Sequence, residues 1–167
     1  MLASDDALIA QCEVDRYRAS GPGGQHRNKT ESAVRLRHKL TGISAIGEDS
    51  RSQSENKLHA VRRLRAHLAL ELREPVRLEG YVAPPRLAAL VAGGTAPLGA
   101  KTRQTGEYWA AIGELLDLIV AGALEIGAAA QRLGITTGAL SKLLLHDDHV
   151  ARRINDLRRA AGMRPLR

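Results

Sequence analysis

Residues 33–47, "AVRLRHKLTGISAIG", carry the pattern that decides the fold. From 34 to 39 the residues alternate with period two. Val34, Leu36 and His38 fall on one face, and Arg35, Arg37 and Lys39 on the other, which is the signature of a half-buried strand. Gly42 marks a turn, and "ISAIG" (43–47) reads as the returning strand of a hairpin. Working outward, "CEVDRYRAS" (12–20) reads as an earlier strand, with Val14 and Tyr17 available to different faces. Downstream, "SQSE" (52–55) is a capping box, Ser52 with Glu55, opening a helix to about residue 73. Its expected apolar face is Leu58, Val61, Leu64, Leu68 and Leu72, with Arg62, Arg63 and Arg65 largely off it. A short helical turn is expected near Asn28 to Ser32. The order is β-α-β-β-α, one long helix covering a three-stranded sheet, and the class is α+β.

The rest of the chain reads differently. Residues 76–106 alternate Pro84, Pro85 and Pro97 with Gly80, Gly93, Gly94, Gly99 and Gly106, the punctuation of a linker around one short helix at 86–92. The organisation that follows is a domain at 1–75, a 76–106 linker, and an all-helical module at 107–167. In that module "EYWAAIGELLDLIVAG" (107–122) repeats apolar residues at Tyr108, Ile112, Leu115, Leu116 and Ile119. "VARRINDLRRAAG" (150–162) repeats them at Val150, Ile154, Leu157 and Ala161, leaving Arg152, Arg153, Arg158 and Arg159 mostly outside the stripe. "EIGAAAQRLGITTGALSKLLL" (125–145) matches a helix-turn-helix pattern. Gly134 sits in its turn, Thr136 caps the second helix, and Leu140 and Leu143 pack inward. Thr137, Ser141 and Lys142 would then face a nucleic acid; an ordinary helical hairpin satisfies the same pattern. "HDDH" (146–149) reads as Asp147 or Asp148 capping a helix rather than as a metal site.

Composition narrows the function classes. Apolar residues make up 44%, but aromatics only 2% and phenylalanine is absent, so the core must be aliphatic. The single cysteine, Cys12, excludes an internal disulfide framework and a cysteine-based zinc site, and fits a reducing compartment. The acidic start lacks the features of a signal or transit peptide, and no stretch approaches a membrane span, so a cytoplasmic protein without membrane contact is expected. Net charge is +7, unevenly placed. Residues 16–39 hold seven Lys/Arg against one acid, and 125–167 hold eight against four. The 74–124 stretch holds four against five. Two basic zones with a near-neutral one between them point to a polyanion partner.

Within the first basic zone lies "SGPGGQHRNKTES" (20–32). Glycines permit positive φ and close backbone approach, so "GPGG" alone is an ordinary turn. The longer string is more specific. "RASGPGGQHRNKTESAVRLRH", followed by "TGI" and then "RSQSENK", resembles the catalytic domain of class I peptide chain release factors. There a GGQ tripeptide precedes H-x-N-K/R, then "SAVRL.H..TGI", then "RSQ..NK" at the start of a long helix. The likeness runs from about residue 13 to 72.

The resemblance implies a ribosomal function with no cofactor and no metal. Gly23 and Gly24 would let the backbone enter the RNA-lined peptidyl-transferase centre of the large subunit. Gln25 would present its backbone N–H to the oxyanion formed during peptidyl-tRNA hydrolysis, and its side-chain amide would shape the position of the water. A neutral amide does no acid–base chemistry at pH 7, so proton transfer would fall to RNA, substrate and water. Neither Ser20 nor Cys12 has an evident His–Asp support, so no catalytic triad is expected. Arg16, Arg18, His26, Arg27, Lys29, Arg35 and Arg37 would hold ribosomal RNA phosphates. The family also implies N5-methylation of Gln25, hence a glutamine methyltransferase as a second partner; the chain itself is expected to act as a monomer. Two departures point to the codon-independent, ribosome-rescue branch. About a dozen residues precede the first strand, leaving no room for a decoding domain, and Arg27 stands where codon-dependent members usually carry Val. A packed helical module replaces the basic tail of one rescue type. The competing reading is a nucleic-acid-binding regulator acting through the helix-turn-helix.

Overall fold

The structure, a computed structural model, describes residues 4–17, 32–92 and 105–167. It is α+β, and the chain divides into two compact units, Met1–Leu68 and Ala69–Arg167. The first unit holds α1 (Asp5–Ala10), β1 (Cys12–Tyr17), β2 (Ala33–His38), β3 (Ser44–Gly47) and most of α2 (Gln53–Glu71). The turn expected near Asn28 to Ser32 lies outside the described residues except for Ser32.

The three strands form one antiparallel sheet with β2 in the centre. The alternation read from 34 to 39 holds: Val34, Leu36 and His38 are buried, and Arg35, Arg37 and Lys39 are exposed. His38 keeps its ring satisfied inside, with Thr41 Oγ1 at 2.9 Å and Gln11 Oε1 at 3.3 Å. The ladder pairs Leu36 with Ala45 and Val34 with Gly47, so the inner face is a row of small and branched side chains. Against it α2 buries Ala60, Val61, Leu64 and Leu68. Each such burial is worth roughly 1.5–3 kcal/mol for the larger aliphatics.

Two details of α2 differ from expectation. Leu58 is 47% exposed. The buried arc is set by Asn56, Ala60, Val61 and Leu64, and at 100° per residue Leu58 falls past its edge. The capping box is relayed: Glu55 N–H donates to Ser52 Oγ at 3.4 Å, while the Glu55 carboxylate accepts from Ser50 Oγ–H. Ser50 Oγ in turn accepts the Ser52 N–H at 3.1 Å. α2 also covers the outer edge of β3. Arg63 donates to Ile46 O at 2.6 Å and His67 Nδ1 lies 2.9 Å from Ser44 O, which occupies carbonyls otherwise open to strand addition.

α1 was not anticipated. Its signal was present in "SDDA": Ser4 caps it, accepting from Ala7 N–H at 3.2 Å, with Asp5 and Asp6 in the first turn. Leu8 is buried, and Asp5 pairs with Arg65 of α2 at 2.9 Å.

The second unit contains α3 (Pro85–Ala92), α4 (Gly106–Ala121), α5 (Ile126–Arg132), α6 (Thr137–Leu145) and α7 (Asp148–Ala160). α4 is its centre. The expected stripe is buried, but so are Trp109, Ala110, Ala111, Gly113, Asp117 and Leu118, which is the burial of a helix packed on nearly every side. Residues 93–104 lie outside the described residues. Among the described residues, no helix is long and apolar enough to cross a membrane.

Candidate functional site

The chain leaves the sheet at Tyr17 and re-enters it at Ala33, and these two residues are cross-strand partners. Both ends of the segment carrying the GGQ tripeptide are therefore fixed at one end of the β1–β2 ladder. Gly23, Gly24 and Gln25, with Arg18, His26, Arg27 and Lys29, lie outside the described residues. Arg16, Arg35 and Arg37 are described.

The re-entry point is held by Asn56, which is fully buried. Its Nδ2 donates to Ser32 O and to Ser50 O, each at 2.8 Å, and its Oδ1 accepts from Ser50 N–H at 2.9 Å. One side chain thus ties the last residue before β2 to the turn ahead of α2. Within "RSQSENK" nothing about the residue type or its spacing marks Asn56 for that role. An asparagine in the first turn of a helix looks like surface until the chain folds back over it. At the exit, Tyr17 Oη reaches Glu48 Oε2 at 3.5 Å, and burial together with that carboxylate pushes the phenol up.

The outer face of the sheet is a ladder of alternating charge. Asp15 faces Arg35 in register and accepts from it at 2.6 and 3.1 Å. Glu13 faces Arg37 at 3.7 Å. The positive count over 16–39 stops just short of these two acids, so it overstates the charge that this face presents. Cys12 is buried; its Sγ donates to Leu8 O at 3.2 Å, and desolvation raises the thiol, so it is built as core.

On the inner face, between β1 and the start of α2, a groove of about 290 Å³ is lined by Val14, Arg16, Val34, Gln53, Ser54 and Lys57. Lys57 was not among the residues singled out from sequence. No cluster of three or more metal-ligating side chains occurs among the described residues.

In the second unit a short turn joins α5 to α6, as the pattern at 125–145 and an ordinary helical hairpin both require. α5 ends at Arg132, Gly134 turns with φ +69°, and Thr136 caps α6, accepting from Ala139 N–H at 3.1 Å. Leu140 and Leu144 are fully buried, so the inward pair is 140/144 rather than 140/143; Leu143 is half-buried. Thr137 and Lys142 are exposed and Ser141 half-buried, and Lys142 is the one basic residue of α6. Asp147 caps α7, accepting from His149 and Val150 N–H at 3.0 and 3.3 Å. The arginines of α7 divide. Arg153 donates to Leu70 O at 2.8 Å and pairs with Glu71 at 3.0 Å. Arg158 donates to Leu124 O at 2.6 Å, and Arg159 pairs with Asp156. Arg152 is exposed.

The same unit buries a polar cluster. Arg73 donates to Asp117 Oδ1 at 2.8 Å and to Gly113 O at 3.2 Å, and Glu74 N–H also reaches Asp117 Oδ1, at 3.1 Å. Desolvation raises the carboxyls of Asp117 and Glu114, the latter despite Arg86 at 3.3 Å.

Comparison with known proteins meets this geometry in the first unit. The model of the RF-1 domain matches residues 8–79, which takes in the sheet, the segment between β1 and β2, and the whole of α2. Peptide chain release factor 1 of Leptothrix cholodnii is 53% identical over 70 residues, 42% of this chain and 18% of that protein. Peptide chain release factor 2 of Buchnera aphidicola is 55% identical over 73 residues, 41% of this chain and 20% of the relative. Peptide chain release factor 2 of Corynebacterium glutamicum is 45% identical over 100 residues, 60% of this chain and 25% of the relative. The chain thus spans a quarter or less of the length of these relatives. The resemblance read from "GPGGQHRNK" and "RSQSENK" and the matched segment coincide: residues 8–79 match the RF-1 domain, and the relatives over this stretch are peptide chain release factors 1 and 2.

Proposed function

We propose that this protein promotes hydrolysis of peptidyl-tRNA on the large ribosomal subunit without reading a codon, as a ribosome-rescue factor. The observation that carries the reading is the RF-1 domain match over 8–79, with an intact GGQ at 23–25 between two strands whose ends are paired. Gly23 and Gly24 admit the backbone to the peptidyl-transferase centre. The Gln25 N–H stabilises the oxyanion as water attacks the ester carbonyl carbon, and the 3′ oxygen of the tRNA leaves with a proton relayed through RNA and solvent. Gln25 is the site for N5-methylation by a glutamine methyltransferase. Arg18, His26, Arg27 and Lys29 hold phosphates around the tip. Codon independence is supported by Arg27, which replaces the apolar residue of codon-dependent members. The arrangement suits a monomer working in the cytoplasm.

The test is peptide release from ribosomes loaded with peptidyl-tRNA and carrying no codon in the A site. Release should be supported by the wild type and fall by at least two orders of magnitude in Gln25→Pro, which removes the N–H donor to the oxyanion. Equal release by both proteins overturns the proposal, and release that requires a stop codon overturns its codon-independent part.

A further inference from the structure

The groove between β1 and α2 holds two cations where a small domain would normally place apolar residues. Arg16 is the ladder partner of Val34, so it sits on the sheet face that α2 covers. Lys57 precedes Leu64 by seven residues and lies on the same helix face, the one that buries Val61, Leu64 and Leu68. Neither is ion-paired among the described residues. Among the described residues, the acids beside them in the chain are committed elsewhere: Asp15 to Arg35 on the opposite sheet face, and Glu55 to the hydroxyl of Ser50. Between the two cations the wall is apolar, with Val34 buried and Val14 left 40% exposed, and Gln53 and Ser54 supply polar groups at the rim.

We propose that this groove is a subsite for RNA, taking one stretch of phosphodiester backbone between Arg16 and Lys57, with the attached ribose or base edge against Val14. The proposal rests on the ribosomal reading above and makes it more specific. The chemistry fits a polyanion with apolar flanks. A guanidinium offers two parallel donors to a phosphate, an ammonium a compact charge, and a valine floor accepts the sugar that a free phosphate would lack. The position fits as well. Arg16 directly precedes Tyr17, where the chain leaves the sheet toward the GGQ segment, so RNA gripped here holds the root of that segment. The outward arginines Arg35 and Arg37 are already half-neutralised by their cross-strand acids, and the groove becomes the stronger phosphate site of the two faces.

The experiment is a pelleting assay of the full chain with isolated large ribosomal subunits across a salt series. It compares the wild type, the Arg16→Gln/Lys57→Gln double variant, the charge-keeping Arg16→Lys/Lys57→Arg variant, and Val14→Glu. Arg77→Gln, an exposed residue of the second unit, is the control. The double variant should bind about tenfold more weakly or worse, with the slope of log affinity against log salt shallower by roughly 1.4–1.8. The charge-keeping variant should retain the slope. Val14→Glu should weaken binding without changing far-ultraviolet circular dichroism. A double variant that binds like the wild type at every salt concentration overturns the subsite, leaving Arg16 as an edge-strand charge that discourages strand addition. Gln25→Ala separates the two readings. Lost release in that variant beside unaltered binding by the groove variant overturns the groove alone, whereas a wild type that does not bind large subunits overturns both.

Discussion

The carbonyl oxygen of Asn56 lies 1.9 Å from the point a Cβ on Gly47 would occupy. No side chain fits there, and Ala60 N stands 3.0 Å from the same point, so both obstacles are backbone. β3 and the first turns of α2 therefore meet main chain to main chain. This close approach lets the Asn56 side chain reach Ser32 O and Ser50 across the contact.

Gly47→Ala is expected to destabilise the first unit by about 1–3 kcal/mol or more, the cost of overpacking against atoms that cannot rotate away. Asn56→Ala removes the partners of three backbone groups and should cost a similar amount, about 1–3 kcal/mol. Chemical denaturation followed by circular dichroism measures both. In the release assay Asn56→Ala should also lose activity beyond its loss of folded fraction, because Ser32 ends the segment bearing Gln25.

Chemistry and binding should separate at the GGQ tripeptide. Gly24→Ala restricts the backbone of the tripeptide and is expected to reduce release at least as much as Gln25→Ala, while both variants pellet with large subunits like the wild type. A parallel fall in affinity would place the defect in binding instead.

Asp117→Ala should destabilise the second unit by about 3–5 kcal/mol, since it strands the Arg73 guanidinium and the Glu74 N–H without their shared acceptor. Trp109, the single tryptophan, is buried in the same unit, and its fluorescence during denaturation reads that loss.

Asp49 in the first unit and Glu114 in the second should contribute to the acid response in opposite senses. The Arg63 guanidinium, with help from His59, holds Asp49 at about 2, below its ordinary 3.8. Its contribution is present above pH 4 and is lost as pH falls through about 2; because the pair is exposed, the effect is small. Burial raises Glu114, so stability in the second unit is greatest below its ordinary value and declines as pH rises through the raised one. Asp49→Asn should flatten the acid limb seen by circular dichroism, and Glu114→Gln the opposite trend seen by Trp109 fluorescence.

On α7, Arg153→Ala and Arg158→Ala are expected to lower the melting temperature, because each removes a donor to a backbone carbonyl. Arg152→Ala should leave stability within about 0.5 kcal/mol, and any effect it has should appear only in ribosome pelleting.

Local pattern determined much of this protein before any contact was known. Period-two alternation from Val34 to Lys39 marked the central strand and its inner face, and "SQSE" marked the start of α2. The GGQ string with its flanks carried the release-factor likeness, because that likeness lies in particular residues at particular spacing and needs no knowledge of their neighbours in space. Tertiary structure decided what depends on partners distant in sequence. Asp15 and Glu13 cancel much of the charge on Arg35 and Arg37 through strand register, which a running count of basic residues cannot see. Arg153 and Arg158, exposed on a helical wheel, bend back onto carbonyls of other segments. Asn56 and Lys57 are adjacent in the chain, yet one closes a buried hydrogen-bond network and the other opens into a groove. Sequence periodicity orients a side chain about its own axis; only the packed neighbours determine whether that direction holds a carbonyl, a carboxylate or solvent.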